Sequence, residues 1–171
     1  MPSGRYLNRI DELYPFLGRL VVEWSSLELC LCQMMRAMLG ISAFHANAIF
    51  YSAVNNQTRF ELIQKCITVH LSDKDDIFDP KREASSLISR ARKLNKTRNH
   101  YIHCWYVVNT ENQTVYKGDM GNIRVDETDS NLTISGSRVG WADIQTHCDA
   151  VDALGDDIYA FTYGKLCLEM P

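Results

Sequence analysis

No apolar run in this chain approaches the roughly 18 residues that a membrane-spanning helix requires. Its first residues, MPSGRYLNRIDELYP, hold no apolar stretch between a basic end and a cleavage site. A cytoplasmic chain with no membrane partner is therefore expected. Cysteine never occurs as a CxxC pair. Cys30, Cys32, Cys66, Cys104, Cys148 and Cys167 fall mostly within helical apolar patterns, which reads as free buried thiols in a reducing compartment. The four N-x-T sequons then carry no meaning, because they matter only on a secreted protein. There is no internal repeat and no low-complexity tract, and a net charge of −3 does not announce a nucleic-acid binder.

What is present is a composition of 46% apolar and 23% charged residues over 171 positions, enough for one folded domain with a real core. The charge is unevenly spread. Lys81, Arg82, Arg90, Arg92, Lys93, Lys96 and Arg98 crowd one segment against a single Glu83. Further on, Asp119, Asp126, Glu127, Asp129, Asp143, Asp149, Asp152, Asp156 and Asp157 are opposed only by Arg124 and Arg138. The first region would draw a phosphate-bearing ligand. The pattern alone fits equally well a solvated basic helix face packed near an acidic one in the same molecule.

From about Ile10 to Leu39, apolar residues recur at helical spacing, with Leu17, Leu20, Val21, Trp24, Leu27, Leu31, Met35 and Met38 on one broad face. Pro15 either sits near the helical start or bends its first turns, and Gly40 fits a C-terminal stop. Ser42 can cap a second helix, AFHANAIFYSAV, and RFELIQKCITVHL gives a third. Asp79 followed by Pro80 is a strong helix start, since the carboxylate accepts from free amides and proline there loses no hydrogen bond. That helix should run to about Trp105, with Arg98 in the stripe of Leu87, Ala91, Leu94 and Ile102. Between Trp105 and Gly140 the pattern changes to the short β-like runs WYVV, TVYK, NIRV and LTIS, a small antiparallel insertion. Helical spacing returns from Trp141 to about Leu166. The fold class expected is mostly α: an up-and-down bundle forming a single domain over 1–171, with the β insertion at 105–140 before the last helix.

The stretch LNKTRNHYIHCWY, Leu94 to Tyr106, holds the chemistry. Residues four apart share a helix face, so Asn99 and His103 can point at one ligand. Arg98 is about 140° around the axis from His103, at roughly 100° per residue, so its long side chain or a loosened helix end must supply the convergence. An imidazole that titrates near neutrality can move a proton to or from a ribose hydroxyl, while a guanidinium stabilises phosphate charge. That scheme uses no metal or other cofactor.

RNHYIH resembles the motif of the HEPN domains, helical bundles many of which are metal-independent ribonucleases. Their signature is an arginine, four to six intervening residues and a histidine, often with a polar residue after the arginine, which Arg98, Asn99 and His103 match at the shortest spacing. The likeness also takes in the leading helix LVVEWSSLELCL, a middle helix pair and a closing helix; the strands depart from it. It implies catalytic Arg98, Asn99 and His103, and Arg92, Lys96 and His100 nearby are expected to bind the RNA substrate. It further implies a homodimer in which two motif helices form one site, 2′-hydroxyl attack leaving a 2′,3′-cyclic phosphate, and a toxin or phage-defence role, with a nucleotidyltransferase-like antitoxin as a possible partner. Glu28, on the apolar face of the first helix, is expected either to fix Arg98 by accepting its hydrogen bonds or to lie at the wet edge of that face. The rival from another class is a noncatalytic module that binds a protein or nucleotide. A metal site built on His100, His103 and Cys104 is a further rival, with only three local ligands.

Overall fold

Asp79 and Pro80 open a helix as their order implies: Asp79 Oδ1 accepts from the Arg82 amide at 3.0 Å. The other starts are written in the same way. Ser42 accepts from the His45 amide at 3.3 Å and Asn55 from the Thr58 amide at 2.9 Å; each such cap contributes about 1 kcal/mol. Gly40 has φ 62°, a left-handed value that glycine adopts without a Cβ clash, and it ends the first helix.

The computed structural model describes residues 10–71, 79–109, 114–118, 123–125, 132–134, 137–138 and 140–167. Asp119, Asp126, Glu127 and Asp129 of the acidic half lie outside that set. Among the described residues a 3-10 turn, Ile10–Glu12, leads into α1, Tyr14–Leu39, followed by α2, Ala43–Ser52, α3, Asn56–His70, and α4, Pro80–Ile102. The strands β1, Trp105–Asn109, β2, Thr114–Gly118, β3, Ile123–Val125, β4, Leu132–Ile134, and β5, Ser137–Arg138, come before α5, Trp141–Phe161, which closes in a π-helical turn, Thr162–Leu166. The chain is thus mostly α with antiparallel strands before its last helix. Those strands form two sheets, β1-β2-β5 and β3-β4, with Val107 opposite Tyr116 and Arg124 opposite Thr133 in register.

Two compact units divide the chain, one drawn from Met1–Val22 and Lys96–Asp149, the other from Glu23–Asn95 and Ala150–Pro171. Each has its own core. In the second unit Trp24, Leu27 and Leu31 of α1 join Phe50 of α2, Phe60 and Ile63 of α3, Leu87 and Ala91 of α4, and Leu154 and Ile158 of α5. In the first unit Leu13, Leu20, Tyr101, Val115, Ile144 and Cys148 are buried together, so β2 belongs to a helical core through Val115. Val21, expected on the core face, is 46% exposed. Leu20 and Val21 stand about 100° apart on the helix, and only Leu20 is turned inward.

Part of the basic run is answered within the second unit. Arg90 Nη1 lies 2.7 Å from Asp157 Oδ2 and Lys165 Nζ 2.8 Å from Glu83 Oε1. Both are exposed pairs, each worth about 0–1 kcal/mol. None of the six cysteines is in a disulfide, and burial pushes the Cys30, Cys32 and Cys66 thiols up. No single helix among the described residues is long and apolar enough to cross a membrane.

Candidate functional site

α4 ends at Ile102, three residues before the end expected from its apolar spacing, yet its hydrogen-bond ladder takes one more step. The His103 amide donates to the Asn99 carbonyl at 2.9 Å, which keeps His103 one turn above Asn99. Lys96, Asn99 and His103, at offsets of three and four, share one face of this end of the helix. Lys96 and His103 are exposed and Asn99 is partly buried.

The side chain of Arg98 turns toward that face. Its Nη1 donates to Asn99 Oδ1 at 3.0 Å, while its Nε is buried. The hydrogen bond ties the guanidinium to Asn99, the residue that stands one turn before His103. His100 is exposed beside them, its ring 6.4 Å from that of Tyr101.

Beneath the motif, Tyr101 is 6% exposed. Its carbonyl, one of the last of the helix and so without an intrahelical partner, accepts from Tyr106 Oη at 2.7 Å and Cys104 Sγ at 3.5 Å. Lys117 Nζ sits 4.1 Å from the centroid of its ring, a cation–π contact, and the His147 ring lies 5.9 Å away. Burial, then hydrogen bonding with Cys104, pushes the Tyr106 phenol up. Burial also raises Tyr101, with Asp143 adding to it, and lowers His147. His147 Nε2 is buried with no hydrogen-bond partner, so its neutral form is the one the site accommodates.

Arg92 and Glu28 belong to the other unit. The arginine that Glu28 holds is Arg59, which corrects the expected pairing with Arg98. Arg59 Nη1 is 2.9 Å from Glu28 Oε1, and the same oxygen accepts from Trp24 Nε1 at 2.8 Å. Arg59 also donates to Asn56, which donates to Asn95, and its guanidinium lies 5.2 Å from the Tyr51 ring centroid. Glu28 is thus neither at a wet edge nor on the motif; it is the centre of a separate polar network.

Four residues around the motif carried no functional reading in the sequence: Tyr101, Tyr106, Lys117 and His147. Tyr101 had a signal, since it lies seven residues after Leu94, two helical turns on and so along the same apolar stripe. The other three reach it through tertiary structure. Among the described residues no group of three or more His, Cys, Asp or Glu side chains is placed to hold a metal ion, and Cys104 of the suggested trio is turned to the Tyr101 carbonyl. Compared with known proteins, the chain matches no family model, no curated protein and no solved structure.

Proposed function

We propose that the chain is a metal-independent RNA endonuclease of HEPN type, acting as a homodimer in a toxin or phage-defence role. The observation that carries this reading is the Arg98–Asn99 hydrogen bond one turn below an exposed His103. Arg98 carries the planar guanidinium fork whose geometry matches a phosphate, and His103 is exposed. In the reaction the imidazole takes the ribose 2′-hydroxyl proton as the 2′-oxygen attacks phosphorus. The bond from phosphorus to the 5′-oxygen breaks, a 2′,3′-cyclic phosphate remains, and the leaving oxygen collects a proton. Arg98 stabilises charge on the phosphoryl oxygens, with Lys96, His100 and Arg92 contributing to RNA binding. A nucleotidyltransferase-like antitoxin is the partner this reading suggests.

The test is digestion of RNA in a chelator at neutral pH, wild type beside His103→Ala, with the product ends analysed. Cyclic phosphate termini that vanish in the variant support the proposal; cleavage unchanged by the substitution removes it. A second reading, a noncatalytic binding module, has an observation of its own. Phe44 and Tyr51 of α2, and Val54 beyond it, are 78%, 46% and 93% exposed. That reading predicts an intact, inactive protein in the same assay.

A further inference from the structure

The basic run of α4 splits according to what answers it. Arg90 is matched by Asp157, and Glu83 of the same helix by Lys165. Arg92, four residues before Lys96, instead lines a cavity of about 400 Å³ between α3 and α4, opposite Lys65. Neither Arg92 nor Lys65 has an ion-pair or hydrogen-bond partner among the described residues. Two cations on facing helices repel one another, and an anion placed between them relieves that repulsion.

The remaining walls suit more than a bare ion. Gln64 donates one amide hydrogen to Ser85 Oγ at 3.2 Å, which leaves its carbonyl oxygen and second N–H for a ligand. Val69, 76% exposed, offers an apolar surface at the same groove. Glu61 stands there too, held by Gln57 Nε2 at 2.7 Å. A carboxylate repels phosphate but accepts from a hydroxyl, so Glu61 suits a sugar hydroxyl while the two cations suit a phosphate.

We infer that this α3–α4 groove is a ribose-phosphate subsite for single-stranded RNA, with Lys65 and Arg92 on backbone phosphate and Glu61 accepting from a ribose hydroxyl. The inference rests on the proposed function for its ligand class and adds to it Lys65, Glu61 and α3, none of which belongs to the motif. Phosphate contacts of this kind set affinity and its salt dependence without reading base sequence.

The experiment is fluorescence anisotropy of a short labelled single-stranded RNA of mixed sequence, titrated across a salt series with the His103→Ala protein so that nothing is cleaved. Lys65→Gln with Arg92→Gln in that background should weaken binding roughly tenfold at low salt. The slope of log affinity against log salt should fall by about 1.4, at roughly 0.7 for each single-strand phosphate that is no longer neutralised. Arg36→Gln with Arg82→Gln removes the same charge from two exposed positions outside the groove and should leave the slope near its original value. Glu61→Gln should narrow the preference for RNA over the same sequence as DNA. Thermal unfolding of each variant checks the fold. If the groove pair and the control pair behave alike while RNA still binds, the groove is not the subsite and the proposed function is untouched. If the His103→Ala protein binds no RNA at any salt, the proposed function falls and this inference with it.

Discussion

Glu28 Oε1 accepts a hydrogen bond from Trp24 Nε1 at 2.8 Å and forms an ion pair with Arg59 Nη1 at 2.9 Å. One carboxylate oxygen thereby joins a core indole to a guanidinium. The side chains of Glu28 and Arg59 are 17% and 16% exposed, between the surface pair worth about 0–1 kcal/mol and the buried pair whose disruption costs about 3–5. Glu28→Gln keeps an acceptor for Trp24 and loses the charge, so it should cost about 1–3 kcal/mol in urea unfolding. RNA cleavage per folded molecule should stay at the wild-type level. A loss of cleavage without a loss of stability would contradict the assignment of Glu28 to a structural network.

Arg98→Lys addresses the motif itself. Lysine keeps the charge but not the planar fork that donates to Asn99 and that the proposed function sets against a phosphate. Cleavage should fall by about a hundredfold or more, the scale on which positioned catalytic groups act, with an unchanged circular dichroism spectrum. Turnover near wild type would argue against a phosphate-clamping role.

Acid should weaken the fold through His147. Above the ordinary histidine value of 6.5, folded and unfolded chains both hold the ring neutral. Below it the unfolded chain gains a proton that the folded chain refuses until its own lowered pKa is reached, so stability falls as pH drops through that window. Urea unfolding between about pH 7.5 and pH 5.5 should show this decline, and His147→Gln should flatten it. Equal slopes in the two proteins would clear His147 of the effect.

The proposed function calls for a dimer. One motif offers one arginine and one histidine, whereas a two-fold dimer doubles both around a single phosphodiester. Light scattering should report a dimer, and mixing inactive His103→Ala with inactive Arg98→Ala should restore part of the cleavage if the two chains complete one site. A strictly monomeric active protein would end the composite-site scheme.

The helix starts at Ser42 and Asp79 were legible because they are local, each bonding an amide three residues ahead, whereas the third helix begins at Asn56, capped by Asn55, and not at the expected Arg59. The positions of β1 to β4 were legible for the same reason, while β5, Ser137–Arg138, had no reading in the sequence and the division into β1-β2-β5 and β3-β4 depends on pairing between distant residues. The face of α4 bearing Asn99 and His103 could be read from a period of 3.6 residues. The partner of Glu28 could not, because periodicity says which side of a helix faces inward and nothing about which of many cations waits there. His147 shows the same limit. Its neighbour Tyr101 is 46 positions earlier in the chain, and no spacing rule connects them.

The Tyr101 carbonyl is satisfied by side chains that come after the helix has ended, Cys104 and Tyr106. The shape of the motif turn is therefore not encoded within the motif. A synthetic peptide of α4 alone would keep the letters RNHYIH and fray at their last turn. Transplanting those letters into another helical scaffold would likewise carry over composition without geometry. The smallest portable piece of this site is α4 together with β1, and grafting, whether by an engineer or by recombination between genes, has to move both.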